Sequence, residues 1–185
     1  MEGNPITHII YPELSYDVQG ALFEVHNTLR HFGLSESGWE KALAIALSER
    51  GIVAHCQVEF ALLYKGRRVG RFFVDLIAER EGQVLLELKK TALEAVHKAK
   101  VIAYLRVTDI KLGILVTFGG ERVEFQRIPN RVSERVIPGG NPAPPSSFQA
   151  LDPYLAQMLW PVFCEVHREM GPGFMHMHYR RACQV

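Results

Sequence analysis

From Val18 to Phe32, apolar side chains recur at three- and four-residue steps: Val18, Leu22, Val25, Leu29 and Phe32. That is the spacing of one helix face and predicts a helix over 16–32, capped by Ser15 or Asp17 and broken at Gly33. A second helix is expected over 37–50. Trp39, Leu43, Ala46 and Leu47 form its apolar stripe, and Gly51 takes the left-handed position past its end. The period then drops to two. Cys56, Val58, Phe60, Leu62 and Tyr64 alternate as in a strand, and Lys65-Gly66 supplies a turn. Strands over 69–79 and 83–89 are joined by Arg80-Glu81-Gly82, which suits a three-residue hairpin loop whose last position is left-handed. Helical spacing returns over 92–106 (Ala92, Val96, Ala99, Ala103), with Thr91 as the cap. Strands over 111–118 and 123–128 follow, separated by Gly119-Gly120. A strand–helix–strand run of this length makes its two strands parallel through a right-handed crossover. The fold class expected is α/β, with the order α-α-β-β-β-α-β-β around a mixed sheet.

The organisation expected is a domain over 1–130, a Pro/Gly/Ser-rich linker over 131–150 and a helical extension over 151–185. The extension echoes the first helices. Phe163-Cys164-Glu165-Val166-His167 follows the pattern of Leu22-Phe23-Glu24-Val25-His26, and Gly173 to Tyr179 follows Gly33 to Trp39 with His176 in place of Glu36. It reads as a truncated second copy that stops before any strand. Two helices without a sheet must dock on the first domain, pair between chains as a homo-oligomer, or lack order.

Composition narrows the classes. Of 185 residues 48% are apolar and 22% charged, so a chain disordered throughout is excluded. No apolar run reaches the roughly 18–20 residues of a membrane span, and the start MEGNPITH lacks the basic and apolar regions of a signal peptide. Membrane partners are not expected, and the cytoplasm is the expected compartment. Cys56, Cys164 and Cys183 show neither disulfide nor zinc spacing. A formal net charge of +1 gives no global pull toward polyanions, so nucleic acid would be met by a local patch. Arg67, Arg68 and Arg71 at the first hairpin, with Lys89, Lys90, Lys98, Lys100 and Arg106, supply candidates.

The chemistry concentrates in Phe73-Val74-Asp75-Leu76 and Glu87-Leu88-Lys89. A hairpin turning about Glu81 pairs residues whose numbers sum to 162, which puts Asp75 opposite Glu87. Facing Cβ atoms in such a pair lie about 4.5–5.5 Å apart. Lys89, two residues past Glu87, shares its face. Two carboxylates so placed repel unless a cation joins them, and Mg²⁺ takes one or two carboxylates while keeping several waters. A plain cross-strand salt bridge between Asp75 and Lys89 is the competing account. His176 and His178 would lie about 200° apart on a helix, which argues against a metal pair. His26 and His97 are expected as hydrogen-bonded helix residues, and Trp39 and Trp160 as core anchors.

The element order together with Asp75 and Glu87-Leu88-Lys89 resembles the PD-(D/E)XK nuclease superfamily. More narrowly the chain is similar to the GxxExxY proteins, whose motif falls on Gly33-Leu34-Ser35-Glu36-Ser37-Gly38-Trp39, with Trp for Tyr. The resemblance runs from about Tyr16 to Pro129. It implies a Mg²⁺- (or Mn²⁺-) dependent phosphodiesterase acting on DNA or RNA. Asp75, Glu87 and the Leu88 carbonyl would be the metal ligands. Lys89 would orient or help deprotonate the attacking water, and Glu36 would complete the site directly or through a bound water. Lys100 and Tyr104 stand where relatives carry a Gln and a Tyr one helical turn apart, and with Arg71 they are the expected substrate contacts. Val74 replaces a frequent Pro. The alternative function is a catalytically inactive module of the same fold that binds nucleic acid or protein.

Overall fold

The computed structural model describes residues 9–131, 143–144, 149 and 151–185. Most of the expected linker over 131–150 lies outside the described residues, as does the segment 1–8. The elements are α1 (Pro12–Leu29), α2 (Glu36–Ser48), β1 (Val53–Tyr64), β2 (Arg67–Glu79), β3 (Gln83–Lys89), α3 (Ala95–Thr108), β4 (Leu112–Thr117), β5 (Glu124–Pro129), α4 (Pro153–Met170) and α5 (His176–Ala182). The five strands lie in chain order in one sheet. All neighbours are antiparallel except β3 and β4, which α3 connects as a parallel pair. This is the mixed α/β architecture expected.

Helices cover both sheet faces. On one, Leu14, Val18 and Leu22 of α1 and Leu43 and Leu47 of α2 pack on Leu76, Leu86 and Ile114. Trp39 stacks on Phe118 with ring centres 4.6 Å apart, and the buried His26 ring bonds the Gly120 carbonyl at 3.0 Å. Each fully buried Leu is worth roughly 1.5–3 kcal/mol, so this apolar layer supplies much of the folding free energy. On the other face, Val101 and Leu105 of α3 pack on Ile77, Leu85, Leu115 and Ile128. Val166 and Met170 of α4 and Ala182 of α5 join that second core, so the C-terminal helices dock on the sheet. The opposite side of α4 keeps Tyr154, Leu155, Met158 and Phe163 exposed, and Trp160 is half-buried rather than a core anchor.

Several local expectations change. The first helix begins at Pro12 behind Tyr11, because Pro suits a helix's first turn. Ser15 instead donates its hydroxyl to the Ile10 carbonyl at 2.9 Å, and Asp17 pairs with Arg80 at 2.8 Å. Residues 30–32 form a 3-10 turn before Gly33. The second helix starts at Glu36, with Ser35 accepting from the Gly38 N–H. Thr91 does not cap α3. Glu94 and His97 cap each other's backbone N–H groups reciprocally, and the helix starts at Ala95. Gly82 is not left-handed. A Cβ there would collide with the Tyr11 ring, so close approach accounts for the glycine. In β1 the inward alternation holds for Leu62 and Tyr64 but not for the exposed Cys56, which precedes Gln57 with φ 51°.

Candidate active site

Strands β2 and β3 pair as Leu76–Leu86, Ile77–Leu85, Ala78–Val84 and Glu79–Gln83, every sum being 162. The ladder ends one position short of Asp75 and Glu87. There the Asp75 carboxylate turns to the main chain, and its Oδ2 accepts from the Leu88 N–H at 2.8 Å. Phe72, Val74 and Ile77 all join the α3-side core, so the alternation of β2 changes phase across Asp75. Gln57, which falls opposite Asp75 in the β1 register, is the residue with positive φ. Irregularities of this kind re-aim a side chain at the edge of regular pairing.

Glu87 is 0% exposed. Its Oε1 accepts from Lys89 Nζ and Lys100 Nζ, each at 2.6 Å, and its Oε2 has no partner. Lys89 Nζ also donates to the Leu88 carbonyl at 2.9 Å. Lys100 reaches the site because the parallel crossover brings α3 back over β3. Its ammonium stands 5.2 Å from the centre of the Tyr104 ring. Tyr104 is buried and stacks on Phe72 at 4.2 Å; burial, then the Glu87 and Asp75 charges, push its phenol up. The Asp75 carboxyl is raised from 3.8 to about 6, first by burial and then by the Glu87 charge, and only partly relieved by the Leu88 N–H and the two lysines.

The structure thus brings Asp75, Glu87, Leu88, Lys89, Lys100 and Tyr104 together. Glu36 is tied in from the start of α2. It is exposed, and its Oε1 accepts from the Lys90 N–H at 3.2 Å, one residue past Lys89. Arg71 lies at the rim, 3.2 Å from Glu59, which also holds Arg68 at 2.8 Å. Arg106, expected to flank the site, turns away and donates to the Arg168 carbonyl at 2.7 Å. Lys98 lines a separate hollow with Arg127 and Arg131. His176 and His178 lie on different faces, the first exposed and the second buried.

Asp75, Lys100 and Tyr104 open into a cleft of about 790 Å³. Its far wall belongs to residues 173–181, including Phe174, His178 and Arg181. Sequence reasoning did not place these residues at the site. The only signal was the echo of the Gly33–Trp39 stretch, which says nothing about where the copy docks.

Among the described residues, no group of three His, Cys, Asp or Glu side chains forms a ready metal cluster. The donor set nonetheless fits a hard divalent cation. It combines a buried carboxylate oxygen with no partner and a neighbouring carboxyl that burial and like charge keep partly protonated near neutral pH.

A mixed sheet with acids and lysines gathered at the end of a parallel strand pair defines a nuclease-like α/β domain. The chain belongs to the PD-(D/E)XK nuclease superfamily, whose family model matches residues 12–128. No curated protein matches the chain significantly. Among solved structures, the one titled "Crystal structure of SSO0001" is 21% identical with a TM-score of 0.39, and the match covers 67% of this chain and 64% of that one. Among the described residues, no helix is long and apolar enough to cross a membrane.

Proposed function

We propose that this protein hydrolyses phosphodiester bonds of nucleic acid with the help of Mg²⁺ or Mn²⁺. The supporting observation is Glu87: a carboxylate removed from solvent, with one oxygen unpartnered, next to Asp75. In this reading Asp75 and Glu87 would hold the ion, with the Leu88 carbonyl as a further ligand. The ion would supply Lewis acidity and lower the pKa of bound water. Lys89, freed from Glu87, orients the attacking water and offsets charge developing on the phosphate. Lys100, Tyr104 and Arg71 hold the substrate phosphate, and Glu36 steadies the start of α2 against Lys90 beside the reacting groups. Gly33-Leu34-Ser35-Glu36 with Trp39 supports the narrower GxxExxY assignment. A cytoplasmic setting is part of the same proposal.

Metal titration tests it. Mg²⁺ or Mn²⁺ raises the melting temperature of the wild type, Asp75→Ala abolishes the rise, and cleavage of DNA or RNA oligonucleotides disappears with it. Cleavage that persists in chelator, or an Asp75→Ala variant that cleaves like wild type, overturns the proposal.

One observation favours the second reading, a non-catalytic module. Glu87 Oε1 already accepts from two lysines, so the cluster is charge-compensated without an ion. That reading predicts nucleic-acid or protein binding unaffected by chelator and no cleavage by the wild type.

A further inference from the structure

The cleft over Asp75 has two unlike sides. One belongs to the nuclease-like domain: Arg68, Arg71 and Phe73 of β2, and Lys100 and Tyr104 of α3. The other is built by the C-terminal helices, which the family match over residues 12–128 does not include. This second wall is fixed closely. Gly70 of β2 has no side chain, and the His178 ring occupies the space a Cβ would fill. Gly173, at φ 107°, lies against the Ala99 carbonyl and the Ala103 methyl of α3. Tyr179 locks the intervening turn. Its hydroxyl donates to the Gly171 carbonyl at 2.7 Å and accepts from the Phe174 N–H at 3.2 Å.

The locked turn presents Phe174. Its ring is half-buried, 6.0 Å from Phe72, and so extends the aromatic series Phe60, Phe72 and Tyr104 into the cleft. Phe73, also in the lining, is 40% exposed, with the Arg71 guanidinium 5.5 Å from its ring centre. Arg68, Arg71, Lys100 and Arg181 outnumber Asp75 in the lining, while Glu59 at the rim pairs with Arg68 and Arg71 and Glu87 holds Lys100, contacts that a polyanion would exchange for phosphate.

Aromatic faces between cations are useful to a nucleic acid whose bases are unstacked. In a duplex each base face is covered by its neighbours, and stacking on protein rings requires a single strand. The volume, about 790 Å³, is also in the range of pockets for small molecules, about 300–1,000 Å³, and admits a nucleotide or two. We propose that residues 173–181 make this cleft selective for single-stranded nucleic acid, with a base stacked on Phe174 and phosphates held by Arg181, Arg71 and Arg68. The proposal rests on the nuclease reading only for what happens at Asp75; the binding mode stands on the wall itself.

The test is fluorescence anisotropy of the full chain in chelator, with a labelled 12-mer as single strand and as duplex, in DNA and RNA versions. The single strand of at least one sugar type should bind about tenfold more tightly than its own duplex. Phe174→Leu, which keeps an apolar filler but no π-face, should lose about tenfold in single-strand affinity with an unchanged melting temperature. Phe174→Tyr should retain it. Arg181→Gln should flatten the salt dependence. Equal or tighter duplex binding with both sugars, or Phe174→Leu binding like the wild type, overturns the proposal. Failure of the nuclease reading is seen separately, as absence of metal-dependent cleavage by a wild type that still prefers the single strand.

Discussion

On the α1–α2 side of the sheet, β2 and β3 present Leu76, Ala78, Val84, Leu86 and Leu88, none more than 1% exposed. On the α3 side, the same two strands present Asp75, Glu87 and Lys89. The first face is sealed by helices that add mostly apolar groups, with Ser15, His26 and Glu40 buried and hydrogen-bonded among them. The second carries a fully buried carboxylate, a half-buried neighbouring carboxyl and two lysines, in partial contact with solvent through the cleft. The difference lies in what each face is organised to do. The sealed face stabilises the fold, and the open face spends part of that stability on holding like charges together.

The largest effect should come from the sealed face. Leu86→Ala removes a side chain with 0% exposure and should cost about 2–5 kcal/mol in denaturant unfolding. If the loss is under 1 kcal/mol, this layer is not the main support.

On the open face the sign reverses. The Asp75 carboxyl is raised from 3.8 to about 6, so its contribution to stability is fully present below pH 3.8 and is lost as pH rises through about 6. Asp75→Asn mimics the protonated form and should stabilise the protein by about 1–2 kcal/mol at pH 8. The gain should vanish below about pH 4, where wild type and variant become alike. Denaturant melts at the two pH values check this, and a gain independent of pH would remove the argument. Protons and metal compete for the same carboxylates, so any metal-induced rise in melting temperature should shrink between pH 7 and pH 5.

The smallest effect belongs to the rim. Glu59 pairs with Arg68 and Arg71 on an exposed surface, and Glu59→Gln should change stability by less than about 1 kcal/mol. The same substitution releases two guanidinium groups. It should therefore tighten oligonucleotide binding and steepen its salt dependence, as anisotropy at several salt concentrations would show.

These two faces also differ in how far the chain itself announces them. The β2–β3 register was readable because a short loop and the strand-like runs on either side of it are local properties. They place Asp75 beside Glu87 without knowledge of the rest of the molecule. The helices α1 and α2 were equally plain, since their apolar stripes repeat over about four turns in the first and about two in the second. What escaped depended on contacts between distant segments. Gly82 looks like a turn glycine until Tyr11 is seen against it. Arg106 looks like part of a basic flank until α4 takes its guanidinium. Lys100 was expected near substrate, but its ammonium on Glu87 follows from how deeply α3 sits on the sheet. Phe174 and Arg181 carry no local mark of their place at all, because docking of α4 and α5 is decided by contacts with segments far away in the chain.

The seating of His178 on Gly70 has a consequence for the gauge of the cleft. With a ring resting directly on main chain at one edge, and Gly173 resting on the Ala99 carbonyl at the other, no flexible side chain intervenes to absorb error at either support. The opening is held like the jaws of a calliper, and one added methyl group at either glycine would reset its width.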